Sequence, residues 1–303
     1  MKSVADGADE GNQADGRERG PHRRPLVVAR EQDQQRDDHD SAADAEEGAE
    51  EAGDQADGNE THRRILRGVD ERLARLREEP RLAAVLLDVD GTLAPIVSRP
   101  ELAAVPAETR AEVERLAERY ALLACVSGRT GVDAARLVGV DGVVYVGVHG
   151  LELAPEAEHW REALRPFAAE PWPWVEDKGL TVAFHWREAV GEGEARRTLE
   201  AVAARAEAAG LQARWGRKVL ELRPPVEADK GTAVRSVLAE RGLRRALYAG
   251  DDTTDLDAFR GLDGLELAVR IAVASAEAPP GLRESADLVV GSPAELLELL
   301  RQL

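Results

Sequence analysis

An α/β fold, a Rossmann-like parallel sheet interrupted by an inserted α+β lid, is predicted by three observations. From Arg63 onward, short apolar runs alternate with amphipathic helical patterns, the signature of a parallel sheet covered on both faces. Several of those runs end directly in polar clusters: Val126 leads into Ser127-Gly128-Arg129, and Ala249 into Gly250-Asp251-Asp252. Between about Ala154 and Pro225 the alternation stops. That stretch carries every tryptophan of the chain, Trp160, Trp172, Trp174, Trp186 and Trp215.

The elements follow in order. Residues 1–62 hold only Val4, Leu26, Val27 and Val28 among Val, Ile, Leu and Phe, and carry seven Lys or Arg against eighteen Asp or Glu. So little apolar surface does not offset the entropy of ordering, so a disordered acidic tail is expected, a solvated extension or an interaction arm. Strands are expected at 83–89, 121–126, 143–148, 245–249, 268–273 and 287–290. A helix fits Pro106 to Arg119, with proline near its start and Val113, Leu116 and Ala117 at helical spacing. Asp229-Lys230-Gly231-Thr232 opens another, and Thr254 to Phe259 a third. The expected division is a core of 63–153 and 226–303 with a lid of 154–225. Within the lid, alternating patterns at Gly179–Arg187 and Arg217–Arg223 suit strands with one exposed face, separated by a helix over Glu194–Ala208. The lone Cys125 lies in an apolar strand with no base beside it, which suits a buried residue rather than a nucleophile.

Four clusters carry chemistry. Asp88 and Asp90 close the apolar run Leu86-Leu87; residues i and i+2 lean to one side, and Gly91 lets the chain turn away. Such a pair can hold a hard divalent cation and leave an oxygen to attack phosphorus. Alone, D-x-D-G also suits a calcium loop or a turn; the preceding strand and the following Thr92-Leu93 favour the enzymatic role. Ser127-Gly128-Arg129 offers a hydroxyl and backbone N–H groups to phosphate, although Ser127 also reads as a plain N-cap. Lys230, in the first turn of its helix, could reach both a carboxylate and a phosphate, or be a solvated surface lysine. Asp251, Asp252 and Asp255 crowd three acids into five positions, which repel one another unless a cation neutralises them.

In sequence order these four clusters resemble the haloacid dehalogenase superfamily, with a C2-type cap between the second and third. Further stretches narrow the likeness. Asp88 to Ile96, His149-Gly150 with Glu152, Glu176-Asp177-Lys178-Gly179, His185-Trp186-Arg187, Glu221 to Pro225, Asp229 to Ala233 and Gly250 to Asp255 are similar to trehalose-6-phosphate phosphatases of the bacterial single-domain kind. The resemblance implies a magnesium-dependent phosphatase in which Asp88 attacks phosphorus and Asp90 serves as acid and then base. Magnesium would be held by Asp88, the Asp90 carbonyl and Asp251, with Asp252 or Asp255 completing the shell. Ser127 and Lys230 would balance the charge of the transferring group. Glu176, Lys178 and Glu221 are the leading sugar-binding candidates, followed by Gly128, Arg129, His149, Gly150 and Arg187.

The remaining expectations are exclusions. Outside the tail the net charge is only about −7, without the clustered cations that a nucleic-acid backbone demands. No run reaches the roughly 18 apolar residues of a membrane span, and the N-terminus is polar and acidic where a signal peptide would be apolar. A cytoplasmic monomer acting on a small sugar phosphate is expected. Phosphatases of sucrose 6-phosphate or mannosyl-3-phosphoglycerate, and a silent sugar-phosphate sensor, are the competing readings.

Overall fold

A computed structural model describes residues 70–97, 100–216, 218–274 and 279–303; the expected acidic tail lies outside them. Helix α1 (70–78) leads into β1 (Ala84–Leu87), α2 (Ala107–Arg119), β2 (Leu122–Val126), α3 (Gly131–Val138) and β3 (Val144–Val146). The lid region follows as α4 (Arg161–Ala168), β4 (Val175–Asp177), β5 (Val182–His185), α5 (Glu192–Ala208), β6 (Gln212–Gly216) and β7 (Val219–Arg223). The chain closes with α6 (Lys230–Glu240), β8 (Arg245–Gly250), α7 (Asp255–Gly261), β9 (Leu267–Val273), α8 (Pro280–Ser285), β10 (Leu288–Val290) and α9 (Pro293–Leu300).

Six strands pair in the order β10-β9-β8-β1-β2-β3, every pair parallel. Alternation along β1 shows how both faces are covered. Val85 and Leu87 pack into a core with Val113 and Leu116 of α2, Ala134 and Val138 of α3, and Leu296 and Leu300 of α9. Ala84 and Leu86 face the other way, onto Val234 and Val237 of α6 and Phe259 of α7. Burial on both faces explains why β1 and β2 read as unbroken apolar runs. The chain winds outward from β1 through β2 to β3 and later returns to β8 on the other side of β1. Ligands of open α/β sheets sit at such a reversal, beyond the carboxyl ends of the strands.

The second sheet is antiparallel, in the order β4-β5-β7-β6. Val182, Phe184, Leu220 and Leu222 point to one face, covered by Leu199, Val202, Ala203 and Ala206 of α5 and by Leu164 and Phe167 of α4. The spacing of the α5 residues is a helical stripe, which fixes the face that it buries. Trp186 belongs to this core, with Trp160 and Trp172 packed against it, while Trp215 is exposed on β6 beneath Arg196. Cys125 is buried in β2, as its surroundings suggest.

Several boundaries differ from the sequence reading: the first core strand covers Ala84–Leu87 rather than 83–89, and two others have a backbone cause. The third core strand ends at Val146 rather than 148, because Val148 (φ 49°) and His149 (φ 53°) leave the extended region. The alternating stretch from Gly179 forms a strand only over 182–185, since Gly179 (φ 76°) turns the chain.

Candidate active site

Asp88 follows β1, buried, its N–H donating to the Ala249 carbonyl of the neighbouring β8 at 2.9 Å. The turn after it depends on Gly91 (φ 82°): a Cβ there would lie 2.1 Å from Asp251 Oδ2. Glycine thus lets the two acidic loops of adjacent strands close on one another.

Lys230 arrives from the other side. Asp229 caps α6 through a reciprocal box with Thr232, and this fixes the first turn so that Lys230 Nζ donates to Asp88 Oδ1 and Asp255 Oδ1, each at 2.8 Å. Tyr248 Oη also donates to Asp255 Oδ1 (2.7 Å), while the backbone N–H groups of Asp251 and Asp252 donate to Asp255 Oδ2 at 2.9 Å each. One oxygen each from Asp88, Asp251 and Asp255 lie within 4.8 Å of one another. Asp255, however, already accepts four hydrogen bonds, which fills its lone pairs. Direct metal contact from Asp255 therefore does not fit its surroundings; it anchors Lys230 and the Asp251 loop. Asp252 is exposed, accepts from the Thr253 N–H at 2.6 Å and is not among the acids that meet at this point.

Asp251 Oδ1 is buried with no hydrogen-bond partner. A buried carboxylate oxygen of that kind is costly unless a cation meets it. Burial, then the nearby charges of Asp88 and Asp255, push the Asp251 carboxyl up to about 9. Burial likewise raises Asp88 to about 7, opposed by Lys230 and reinforced by Asp255. Lys230 stays charged: burial alone would lower it, but the two carboxylates that it bridges hold it above its ordinary value. With three carboxyl groups around one ammonium, the cluster holds protons that a divalent cation can replace.

Beyond β2, Ser127 is buried, its Oγ accepting from the Arg129 N–H at 3.1 Å. Arg129 reaches across to Asp90, Nε to Oδ2 and a terminal nitrogen to Oδ1, both at 2.7 Å. His149 packs against Gly128, where a Cβ would meet its ring at 2.7 Å; its Nδ1 is buried without a partner, and burial lowers the ring to about 4. A neutral imidazole results. Gly150 (φ 95°) allows a close approach, because a Cβ there would stand 2.6 Å from the Asp229 carbonyl at the start of α6. Glu152 ties this loop down by accepting from the Gly131 and Gly147 N–H groups, 2.8 Å each.

The lid supplies the opposite wall. Register places Glu176, Ala183 and Glu221 in one row across β4, β5 and β7, on the face turned away from α5. The small Ala183 leaves room between the two acids. Thr181 Oγ1 donates to Glu221 Oε1 (3.1 Å), and His185 Nε2 lies 2.8 Å from Glu176 Oε2. Lys178 Nζ stands 3.5 Å from Glu221 and 3.9 Å from Glu176, and donates to the Gly128 carbonyl at 3.0 Å. That last bond joins the lid to the loop after β2. Arg187 is exposed in the turn after β5, apart from this row. Tyr248 escaped the sequence reading, although a phenol within a buried apolar strand is itself a signal that a hydroxyl needs a partner.

A family profile described as Trehalose-phosphatase matches residues 86–175 and 168–287. Trehalose-phosphate phosphatase of Mycobacterium marinum is 35% identical over 186 residues, covering 53% of this chain and 47% of that protein. The chain thus spans about half the length of the curated relatives that it matches. Among solved structures, a trehalose-6-phosphate phosphatase related protein is 27% identical with a TM-score of 0.56, over 72% of this chain and 96% of the other. The C-terminal domain of the Candida albicans trehalose-6-phosphate phosphatase shares the fold at 21% identity and a TM-score of 0.60, over 77% and 95%. Matched by that profile across the acidic loops and the lid, the chain belongs to the trehalose-phosphatase family.

Proposed function

We propose that the protein hydrolyses trehalose 6-phosphate to trehalose and phosphate, with Asp88 as nucleophile and magnesium as cofactor. The observation that carries this reading is the meeting of Asp88, Lys230 and Asp251 beneath a lid face that presents Glu176, Lys178 and Glu221. The residues fit the ion: the donors are hard oxygens, and Asp251 Oδ1 lacks any other partner. Asp88, Asp251 and the Asp90 carbonyl would hold it. When bound, magnesium supplies positive charge to the phosphoryl oxygens.

The chain's own residues perform the remainder. An Asp88 carboxylate oxygen bonds to phosphorus as the bond from phosphorus to the sugar oxygen breaks, and Asp90 gives that oxygen its proton. Asp90 then takes a proton from water, whose oxygen bonds to phosphorus while the acyl phosphate bond breaks. Phosphate leaves and Asp88 is restored. Lys230 holds Asp88 in line, and Ser127 Oγ with the adjacent backbone receives the phosphoryl oxygens. On the lid, Glu176 and Glu221 accept from sugar hydroxyls while Lys178 donates to them. A core of 63–153 and 226–303, a lid of 154–225 and a cytoplasmic monomer belong to the same reading. Among the described residues no helix is long and apolar enough to cross a membrane.

Phosphate release from trehalose 6-phosphate, sucrose 6-phosphate, mannosyl-3-phosphoglycerate and glucose 6-phosphate, with and without magnesium, tests the assignment. Magnesium-dependent release with a strong preference for trehalose 6-phosphate is expected. Equal turnover of glucose 6-phosphate would contradict recognition of the second sugar.

A further inference from the structure

Asp90 has to carry protons, yet both of its oxygens are committed to Arg129 in a parallel pair of 2.7 Å hydrogen bonds. A carboxylate held in that fork is well oriented but poorly available, because each oxygen already accepts a charge-assisted bond. The Arg129 backbone is fixed independently: its N–H donates to Ser127 Oγ at 3.1 Å and its carbonyl accepts from the Val148 N–H at 2.7 Å. An exchange of partner therefore needs only the side chain to move.

The lid offers one. Lys178 docks on the carbonyl of Gly128, the residue immediately before Arg129, and Glu176 stands 3.9 Å from the same ammonium. Glu176 lies in the row that faces the core site, with His185 2.8 Å from it. The charges already sense each other: Arg129 is raised chiefly by Asp90 with a smaller contribution from Glu176, and Arg129 is among the groups that, against burial, lower Glu176.

We infer that Arg129 is a positioning residue that exchanges carboxylates, clamping Asp90 in the substrate-free enzyme and passing to Glu176 when a sugar phosphate draws the lid inward. The inference rests on the reaction proposed above. Its consequence is selectivity at the chemical step. A phosphate ester too small to engage the lid leaves Asp90 clamped and the aspartyl-phosphate slow to hydrolyse; a disaccharide phosphate releases it.

The test compares p-nitrophenyl phosphate, which needs no proton on its leaving group, with trehalose 6-phosphate. If the clamp keeps most of the Asp90 population incompetent, Arg129→Met raises kcat on p-nitrophenyl phosphate about tenfold and lowers kcat/KM on trehalose 6-phosphate by a similar factor. Arg129→Lys, which keeps the charge but loses the fork, falls between wild type and Arg129→Met on both. A residue that merely supports the loop or binds phosphate would depress both substrates together. That pattern, or no change on either, overturns the exchange. Should the variants fail to fold, a crystal structure of the wild-type protein with magnesium, trifluoroberyllate and trehalose decides: Arg129 on Glu176 supports the exchange, and Arg129 still paired with Asp90 overturns it. If the wild type hydrolyses p-nitrophenyl phosphate but no disaccharide phosphate, the proposed reaction fails while the Arg129→Met response still reads the clamp on its own.

Discussion

Lys230 joins two acids that could not otherwise sit side by side, and its removal strips positive charge from the point where phosphoryl charge develops. A preorganised donor of this kind is worth about 3 to 4 kcal/mol at a transition state, so Lys230→Ala should lose roughly two to three decades in kcat. Near-normal turnover in that variant would remove Lys230 from the chemistry. Titration supplies a second prediction. Burial, with the repulsion of neighbouring carboxylates, raises Asp88 to about 7 and Asp251 to about 9 in the folded chain, from an ordinary 3.8. Across that interval the folded chain keeps protons that the unfolded chain has lost, so stability from these groups is present at low pH and falls as pH rises toward 9. Without divalent ions, Tm should therefore decline across this window. The increase in Tm produced by magnesium should grow over the same window, because the ion replaces the protons. Asp251→Asn should flatten both trends in scanning calorimetry; an unchanged slope would remove Asp251 as their source.

At the scale of elements, two neighbouring parallel strands end in acidic loops, and Gly91 lets those loops touch. Gly91→Ala combines a left-handed φ, a strain of about 1 to 3 kcal/mol, with a Cβ driven into the Asp251 carboxylate. Titration calorimetry should show magnesium affinity falling at least about tenfold with the helices intact by circular dichroism, since a 1.4 kcal/mol loss is already tenfold. Wild-type affinity would show that the two loops need not approach. These strands were legible in the sequence because burial on both faces turns them into apolar runs, and a carboxylate cluster at the end of such a run has few bland explanations. The edges of the antiparallel sheet were not. β6 is largely exposed, so it lacks the alternation that marks a strand, and β4 has only three residues, none of them buried. The end of β3 is set by two residues with positive φ, which valine and histidine do not advertise. Nor could the Asp90–Arg129 pair be read, since its partners lie 39 positions apart and meet only through the pairing of β1 with β2.

Over the whole molecule, the proposed reading gives phosphate handling to residues on the parallel sheet and sugar recognition to the row on the antiparallel sheet, and the hydrogen bond from Lys178 to the Gly128 carbonyl links the two. The order of the four clusters made this division visible, because a stretch of different character interrupts the chain between the second and the third. The contrast between the acids was visible only in the hydrogen bonding: Asp255 is filled by four donors, whereas Asp251 keeps an oxygen without a partner. The central claim is that Asp88 becomes transiently phosphorylated at this junction. Acid-quenched mass spectrometry of Asp90→Asn, supplied with magnesium and p-nitrophenyl phosphate, whose leaving group needs no proton, tests it most directly, because that variant lacks the base that hydrolyses the intermediate. A phosphoryl group on the peptide containing Asp88, absent when Asp88→Asn is combined with it, is the expected result; phosphorylation of a different residue, or undiminished turnover by Asp88→Asn alone, would contradict the account.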